Sequence, residues 1–190
     1  FTITTESCIR FLENSDFFDS SLKDHVLKAI TLLERKTNKS FNGENSDLLL
    51  VSVRSGAKFS MPGMMDTILN LGLNDHRTQI LAEQTNPDFA YNCYRRLLQM
   101  FADVVYGIPK ELFDTLLENF EKNQNKSLKE LSIAEHQDLV KKYKEIYHQE
   151  NKNFPENPID QLYAAIQAVF KSWNNNRAKI YRDLNHISHD

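Results

Sequence analysis

No stretch of eighteen or so apolar residues occurs in the sequence, so nothing in it reads as a helix that spans a bilayer. The N-terminus lacks the basic-then-apolar layout of a secretory signal. An excess of positive charge is missing too. The 23 Lys and Arg face 26 Asp and Glu for a net charge of −3, which excludes a broad nucleic-acid surface while leaving room for a local basic pocket. Cysteine is nearly absent. Cys8 and Cys93 stand far apart and are expected as reduced thiols rather than a disulfide scaffold, which suits a cytoplasmic protein. In that compartment the sequons at Asn38 and Asn125 are incidental. There is no GxxxxGK[ST] and no GxGxxG, so neither a P-loop nor a dinucleotide fingerprint is present. No serine or cysteine has the motif context of a nucleophile. His186 and His189 lack partners at metal-ligand spacing, and His25, His76, His136 and His148 are scattered among polar residues. No repeat and no low-complexity segment is found. The chain opens on an extended-looking Phe1-Thr2-Ile3-Thr4-Thr5 with no initiator methionine, as expected of a piece of something larger.

What is present is mostly helical pattern. Thr4 is placed to cap a helix to about Leu12 that turns Ile9 and Leu12 inward. Ser20 or Ser21 caps a second helix, with Leu22, Val26, Ala29, Ile30 and Leu33 on one face and an end near Thr37. A short helix is expected at 79–84. Asn86-Pro87 then supplies a cap followed by proline at the first helical position. The long helix after it presents Phe89, Cys93, Leu97, Met100, Phe101, Val104 and Val105 and stops at Gly107. Pro109 restarts a helix with Leu112, Phe113, Leu116, Leu117 and Phe120 as its stripe, and 121–129 is polar and solvated. Ser132 with Glu135 forms a capping box for a helix burying Leu139, Val140, Tyr143, Ile146 and Tyr147. Asn157-Pro158 repeats the cap-plus-proline device ahead of Ile159, Leu162, Ile166, Val169, Phe170 and Trp173, and a continuation past Asn176 carries Arg177, Tyr181 and Arg182. Six to eight helices and two or three strands make a mostly helical α+β fold. Its strands are too few for an ordinary sheet of five or six, so the sheet is small or its remainder lies in other sequence.

Residues 48–75 break this pattern. The largely apolar run 48–53 reads as a short strand buried on both faces, which leaves Arg54 at its end. Two glycines, a proline and two serines within 55–65 exclude a helix and expose backbone N–H groups of the kind that suit anions. Alternation resumes at 67–73 with Leu69, Leu71 and Leu73 on one face of a second strand. Two readings of Arg54 stand level: a guanidinium waiting for a polyphosphate, or an arginine paired with a carboxylate beside a plain crossover. Met61, Met64 and Met65 read as core filler. Asp66 reads as a turn or cap residue. The adjacent Arg95 and Arg96, about 100° apart on the long helix, read as solvated.

The run Val51-Ser52-Val53-Arg54-Ser55-Gly56-Ala57, followed by Ser60-Met61-Pro62-Gly63-Met64-Met65-Asp66-Thr67-Ile68-Leu69-Asn70-Leu71-Gly72-Leu73-Asn74-Asp75, closely resembles the signature of the pyruvate, phosphate dikinase family. The similarity extends to Phe1-Thr2-Ile3-Thr4-Thr5-Glu6, to Phe89-Ala90-Tyr91 with Tyr94-Arg95-Arg96, and to Gln161-Leu162, Ala168-Val169-Phe170-Lys171-Ser172-Trp173, Arg177-Ala178 and Tyr181-Arg182. Asn176 departs from it, since the family usually has proline there. The resemblance implies part of an ATP-grasp-type nucleotide-binding domain with a few strands and a helical subdomain. Residues 1–85 would belong to the N-terminal subdomain with the phosphate-facing loop, 86–157 to the helical subdomain, and 158–190 to a helix returning to the first. It implies ATP phosphate contacts from Arg54, Ser60, Met61, Gly63, Met64 and Arg96. Mg²⁺ would accompany ATP on ligands outside this chain, and no residue here would be catalytic. The whole enzyme so implied interconverts ATP, pyruvate and phosphate with AMP, phosphoenolpyruvate and diphosphate through a phosphohistidine, as a homodimer. The reading of another class is a non-catalytic interaction module in which Arg177, Tyr181 and Arg182 dock a partner domain.

Overall fold

The computed structural model describes residues 1–14, 18–43, 47–56 and 65–187. Among them are eight α-helices and two strands: α1 (Thr5–Glu13), α2 (Ser20–Thr37), β1 (Val51–Arg54), β2 (Thr67–Leu71), α3 (Asp75–Gln84), α4 (Pro87–Phe101), α5 (Lys110–Gln124), α6 (Ile133–Gln149), α7 (Pro158–Ser172) and α8 (Asn176–Leu184). The expected mostly helical α+β class with a small sheet is what the chain forms.

Helix ends follow local chemistry. The Asn86 side chain accepts from the Phe89 N–H and that of Asn157 from the Ile159 N–H, each with proline as the next residue. At the start of α6 the Glu135 carboxylate accepts from the Ser132 N–H while the Ser132 hydroxyl accepts from the Glu135 N–H, closing the capping box. The hydrogen bonds from Ser132 and the ammonium of Lys126, the latter the largest cause, hold the Glu135 carboxyl down at about 2. α2 is capped by Asp19, one residue before the serines expected there, whose carboxylate accepts from Leu22 N–H at 2.7 Å. Thr4 stands at the α1 cap position without a side-chain cap bond. After α4 the helix widens into a π-helical turn, Ala102–Tyr106, and ends at Gly107 in the left-handed region, φ 69°.

The faces are less local, and several expectations are corrected. On α4 the buried residues are Ala90, Tyr91, Tyr94, Leu97, Leu98 and Phe101, whereas Phe89 is 50% exposed. This helix is packed by α3, α6 and β2 at once, so its covered arc is wide and centred away from Phe89. Leu112 on α5 and Ile9 on α1 are likewise exposed. On α6 all five expected residues are buried. At its centre the aromatic rings of Tyr94, Phe101, Phe113, Tyr143, Tyr147 and Phe154 meet edge to face, and the Tyr147 hydroxyl donates to Leu98 C=O.

β1 is not buried on both faces. Val51 and Val53 are half-buried, and Ser52 and Arg54 are exposed, because β2 lies on one edge and α7 on one face. The strands pair antiparallel as Val51↔Leu71, Val53↔Ile68 and Arg54↔Thr67. Two steps on β1 thus match three on β2, a bulge accommodated by Asn70 at φ 61°. Of the expected Leu69, Leu71, Leu73 face, Leu71 and Leu73 are fully buried, but the bulge puts Ile68, three before Leu71, in the core in place of Leu69, which is half-buried.

Candidate functional site

A cleft of about 620 Å³ lies between the N-terminal segment, α1, β1 and α7. Its walls are largely apolar, built from Ile3, Cys8, Ile9, Val51, Val53, Leu162, Ile166, Phe170 and Trp173, and Ile187 reaches it from beyond α8. Arg54 is the only charged side chain among its described lining residues, followed by Ser55 and Gly56, with Met65 lining it from the far side of the loop. Cys8 is a free thiol that burial pushes up to about 11, so it stays protonated and packs as an apolar group.

The hairpin sets where Arg54 points. Alternation leaves Ser52 and Arg54 exposed and Val51 and Val53 half-buried, and all four line the cleft, with Arg54 at the end of the strand. The Arg54 guanidinium has no hydrogen bond or ion pair with another described residue. Of the two readings level in the sequence, the carboxylate-paired one has no support among the described residues. Opposite Arg54 is Thr67, and just before it Asp66, whose N–H donates to Ser172 Oγ at 3.3 Å and whose carboxylate receives Arg177 at 3.4 Å. Burial pushes the Asp66 carboxyl above its ordinary value, with the Arg177 cation acting against the shift and the Asp103 carboxylate adding to it. Asp66 is therefore more than a turn residue: it ties the far end of the loop to α7 and α8. Sequence reasoning passed over this because Ser172 and Arg177 lie over a hundred residues away.

Ser60, Met61, Gly63 and Met64 lie outside the described residues. Arg96 is exposed on α4 and does not line the cleft; it is close enough to Cys93 for its charge to act on that thiol. Its neighbour Arg95 is half-buried and partnered, its guanidinium donating to Asn92 at 3.0 Å and to the Tyr143 hydroxyl at 3.2 Å. Arg177 is exposed and Tyr181 half-buried, whereas Arg182 is fully buried, over the Trp173 ring at 4.0 Å and donating to Trp173 C=O at 2.7 Å. That contact fixes Trp173 in the cleft wall. Among the described residues no three His, Cys, Asp or Glu side chains gather as a metal site, and no helix is long and apolar enough to cross a membrane.

Two buried polar residues hold the base of the hairpin. Arg77, 3% exposed, donates through Nε to Gly72 C=O at 2.5 Å and through its terminal nitrogens to Gly43 C=O at 2.6 Å, Ser40 C=O at 2.9 Å and Leu49 C=O at 3.5 Å. Gln161, 0% exposed, accepts from Gly72 N–H at 2.9 Å and donates to Leu73 and Pro155 C=O, each at 2.8 Å. No short motif announces Arg77, and Gln161 stands in the sequence only within the family-like pair Gln161-Leu162, with no role attached.

A family model described as "Pyruvate phosphate dikinase, AMP/ATP-binding domain" matches residues 13–190. Among curated relatives, pyruvate, phosphate dikinase of Clostridium symbiosum is 43% identical over 194 residues, covering 100% of this chain and 22% of the relative. That of Giardia intestinalis is 46% identical over 193 residues, with the same coverage. The chloroplastic enzyme of Flaveria pringlei is 43% identical over 189 residues, covering 98% of this chain and 20% of its own length. The chain thus spans about a fifth of the relatives it matches.

Proposed function

The chain belongs to the pyruvate phosphate dikinase AMP/ATP-binding domain family, and from that premise we propose that it supplies part of one wall of an ATP site, with Arg54 as its phosphate contact. The observation that carries this reading is the Arg54 guanidinium: exposed at a strand end, lining the cleft beside a glycine-containing loop, and without a carboxylate partner among the described residues. A cation left open at a strand end is placed to take polyphosphate oxygens. Ser60, Met61, Gly63 and Met64 would complete the contact from the loop, and Arg96 would approach from α4. The division into 1–85, 86–157 and 158–190 belongs to the same reading.

In the full-length enzyme this site would serve phosphoryl transfer from ATP, on the way to interconverting ATP, pyruvate and phosphate with AMP, phosphoenolpyruvate and diphosphate. Mg²⁺ bound with ATP would neutralise phosphate charge on ligands supplied from outside this chain. Arg54 and the loop N–H groups would bind and orient the phosphates, which is most of what a protein contributes to such transfers. The exposed Arg177 and half-buried Tyr181 would face other domains of the same enzyme, with Arg182 buried beneath them as the support of Trp173. The subunit would act in the cytoplasm as one half of a homodimer.

The test is Arg54→Ala in the full-length protein. Loss of one preorganised cation should slow phosphorylation by ATP on the order of 10²–10³-fold, with phosphoenolpyruvate–pyruvate exchange unchanged. Survival of both half-reactions would remove Arg54 from the site.

A further inference from the structure

We propose that Arg77 and Gln161 are positioning residues for Arg54: a buried polar clamp that fixes the register of the β1–β2 hairpin and thereby the face on which Arg54 stands. The inference rests on the phosphate-contact reading of Arg54 given above.

The need for a clamp follows from the hairpin itself. A two-stranded ribbon with three paired positions and a bulge between two of them has little internal register control. The usual control is alternation of apolar residues, and here the bulge at Asn70 has spoiled it on β2, where buried Ile68 and Leu71 are three apart. In a strand a one-residue slip exchanges the two faces. Such a slip in β1 would put Val53 where Arg54 now stands and turn the guanidinium toward the packed side.

The two buried residues act where the register is decided. Beyond the Val51↔Leu71 pair, Gly72 follows β2 directly and Leu49 stands two residues before β1, and Arg77 donates to the carbonyls of both. Its remaining bonds, to Ser40 and Gly43, fix the turn that feeds β1; Leu49 N–H also donates to Ser40 C=O at 2.8 Å. Gln161 takes the N–H of the same Gly72 and the C=O of Leu73, which ties the end of β2 to α7. Gly72 thus has its N–H fixed from α7 and its C=O fixed from α3. A lysine offers one ammonium in place of the forked guanidinium and has no way to meet the carbonyls flanking both strands and those of the turn at once. Burying a guanidinium among carbonyls is a poor way to gain stability alone, because apolar side chains of similar volume do as well or better. What the fork supplies is geometry.

The experiment uses the full-length protein with Gln161→Glu, Arg77→Lys and Arg54→Ala, singly and combined, reading phosphorylation by ATP, phosphoenolpyruvate–pyruvate exchange and thermal unfolding. Gln161→Glu keeps the acceptor for Gly72 N–H but turns a carboxylate toward the Leu73 and Pro155 carbonyls. The expected result is a fall in the ATP step of tenfold or more, within the roughly 10²-fold that a 1 Å misplacement costs, with exchange unchanged. The clamp variants should lose their effect when Arg54 is already alanine, so each double variant is no slower than Arg54→Ala alone. Rate losses that multiply with that of Arg54→Ala would overturn the positioning role and leave a structural one. Should Gln161→Glu prove insoluble, Arg77→Lys, which keeps the charge and loses the fork, meets the same criterion. An Arg54→Ala protein with a normal ATP step would instead remove the phosphate-contact reading itself.

Discussion

Replacing Gly72 by alanine tests whether the hairpin base is as tightly fixed as its contacts indicate. Gly72 adopts φ +106°, a conformation that L side chains rarely take. Holding an alanine there costs about 1–3 kcal/mol. A Cβ would also stand 3.1 Å from Phe41 Cε2 and 3.2 Å from Leu49 O. Neither neighbour yields easily: Phe41 is 0% exposed, and the Leu49 oxygen is backbone already bonded to Arg77. Overpacking of this kind adds about 1–3 kcal/mol, for a total of about 2–6 kcal/mol. Gly107 is the internal control, since it too has positive φ, +69°, but nothing lies within 4 Å of an added Cβ. Gly107→Ala should therefore cost only the left-handed strain, about 1–2 kcal/mol. Urea denaturation of the 190-residue chain, followed by far-UV circular dichroism with linear extrapolation, reads both values. If Gly72→Ala costs no more than Gly107→Ala, the close approach of β2 to Phe41 and Leu49 is not a constraint on the fold.

Two further outcomes follow from particular residues. His136 is 2% exposed, stacked on Tyr91 at 5.4 Å and 8°, and burial pulls its imidazole below the ordinary 6.5 against the upward pull of Asp88 and Glu135. Its folded value being depressed, the neutral ring contributes stability above about pH 6.5 that is lost as the pH falls through the folded value. His136→Gln should flatten the stability profile between pH 7.5 and 5; an unchanged slope would show that His136 is not its source. Asn86→Ala removes the cap on Phe89 N–H, 2.8 Å, and should cost about 1 kcal/mol in the same urea assay, with Asn86→Asp close to wild type.

The parts of the molecule that read correctly from the sequence are those set within a few residues of chain. A cap is a side chain, a turn and a donor three positions on, so Asn86, Ser132 with Glu135, and Asn157 were legible without the fold. The α6 face was legible because one side of that helix is covered and the other is wet. α4 was misread because it is covered from several directions, which widens and rotates the buried arc beyond what a single stripe describes.

For the site, the sequence by itself placed Arg54 at a strand end, followed by a loop rich in glycine and serine, and the signature 51–75 placed the family. It left open whether Arg54 was already neutralised by a carboxylate. Only the tertiary structure decided which described groups surround it: Asp66 is engaged by Ser172 and Arg177, while Arg54 lines the cleft without such a partner. Nor did the sequence announce the roles of Arg77 and Gln161. Their importance lies in carbonyls and an N–H contributed by the residues flanking β1 and β2 and by a distant turn, and backbone atoms are the same at every residue. Which side chain meets them is settled only when the chain has folded.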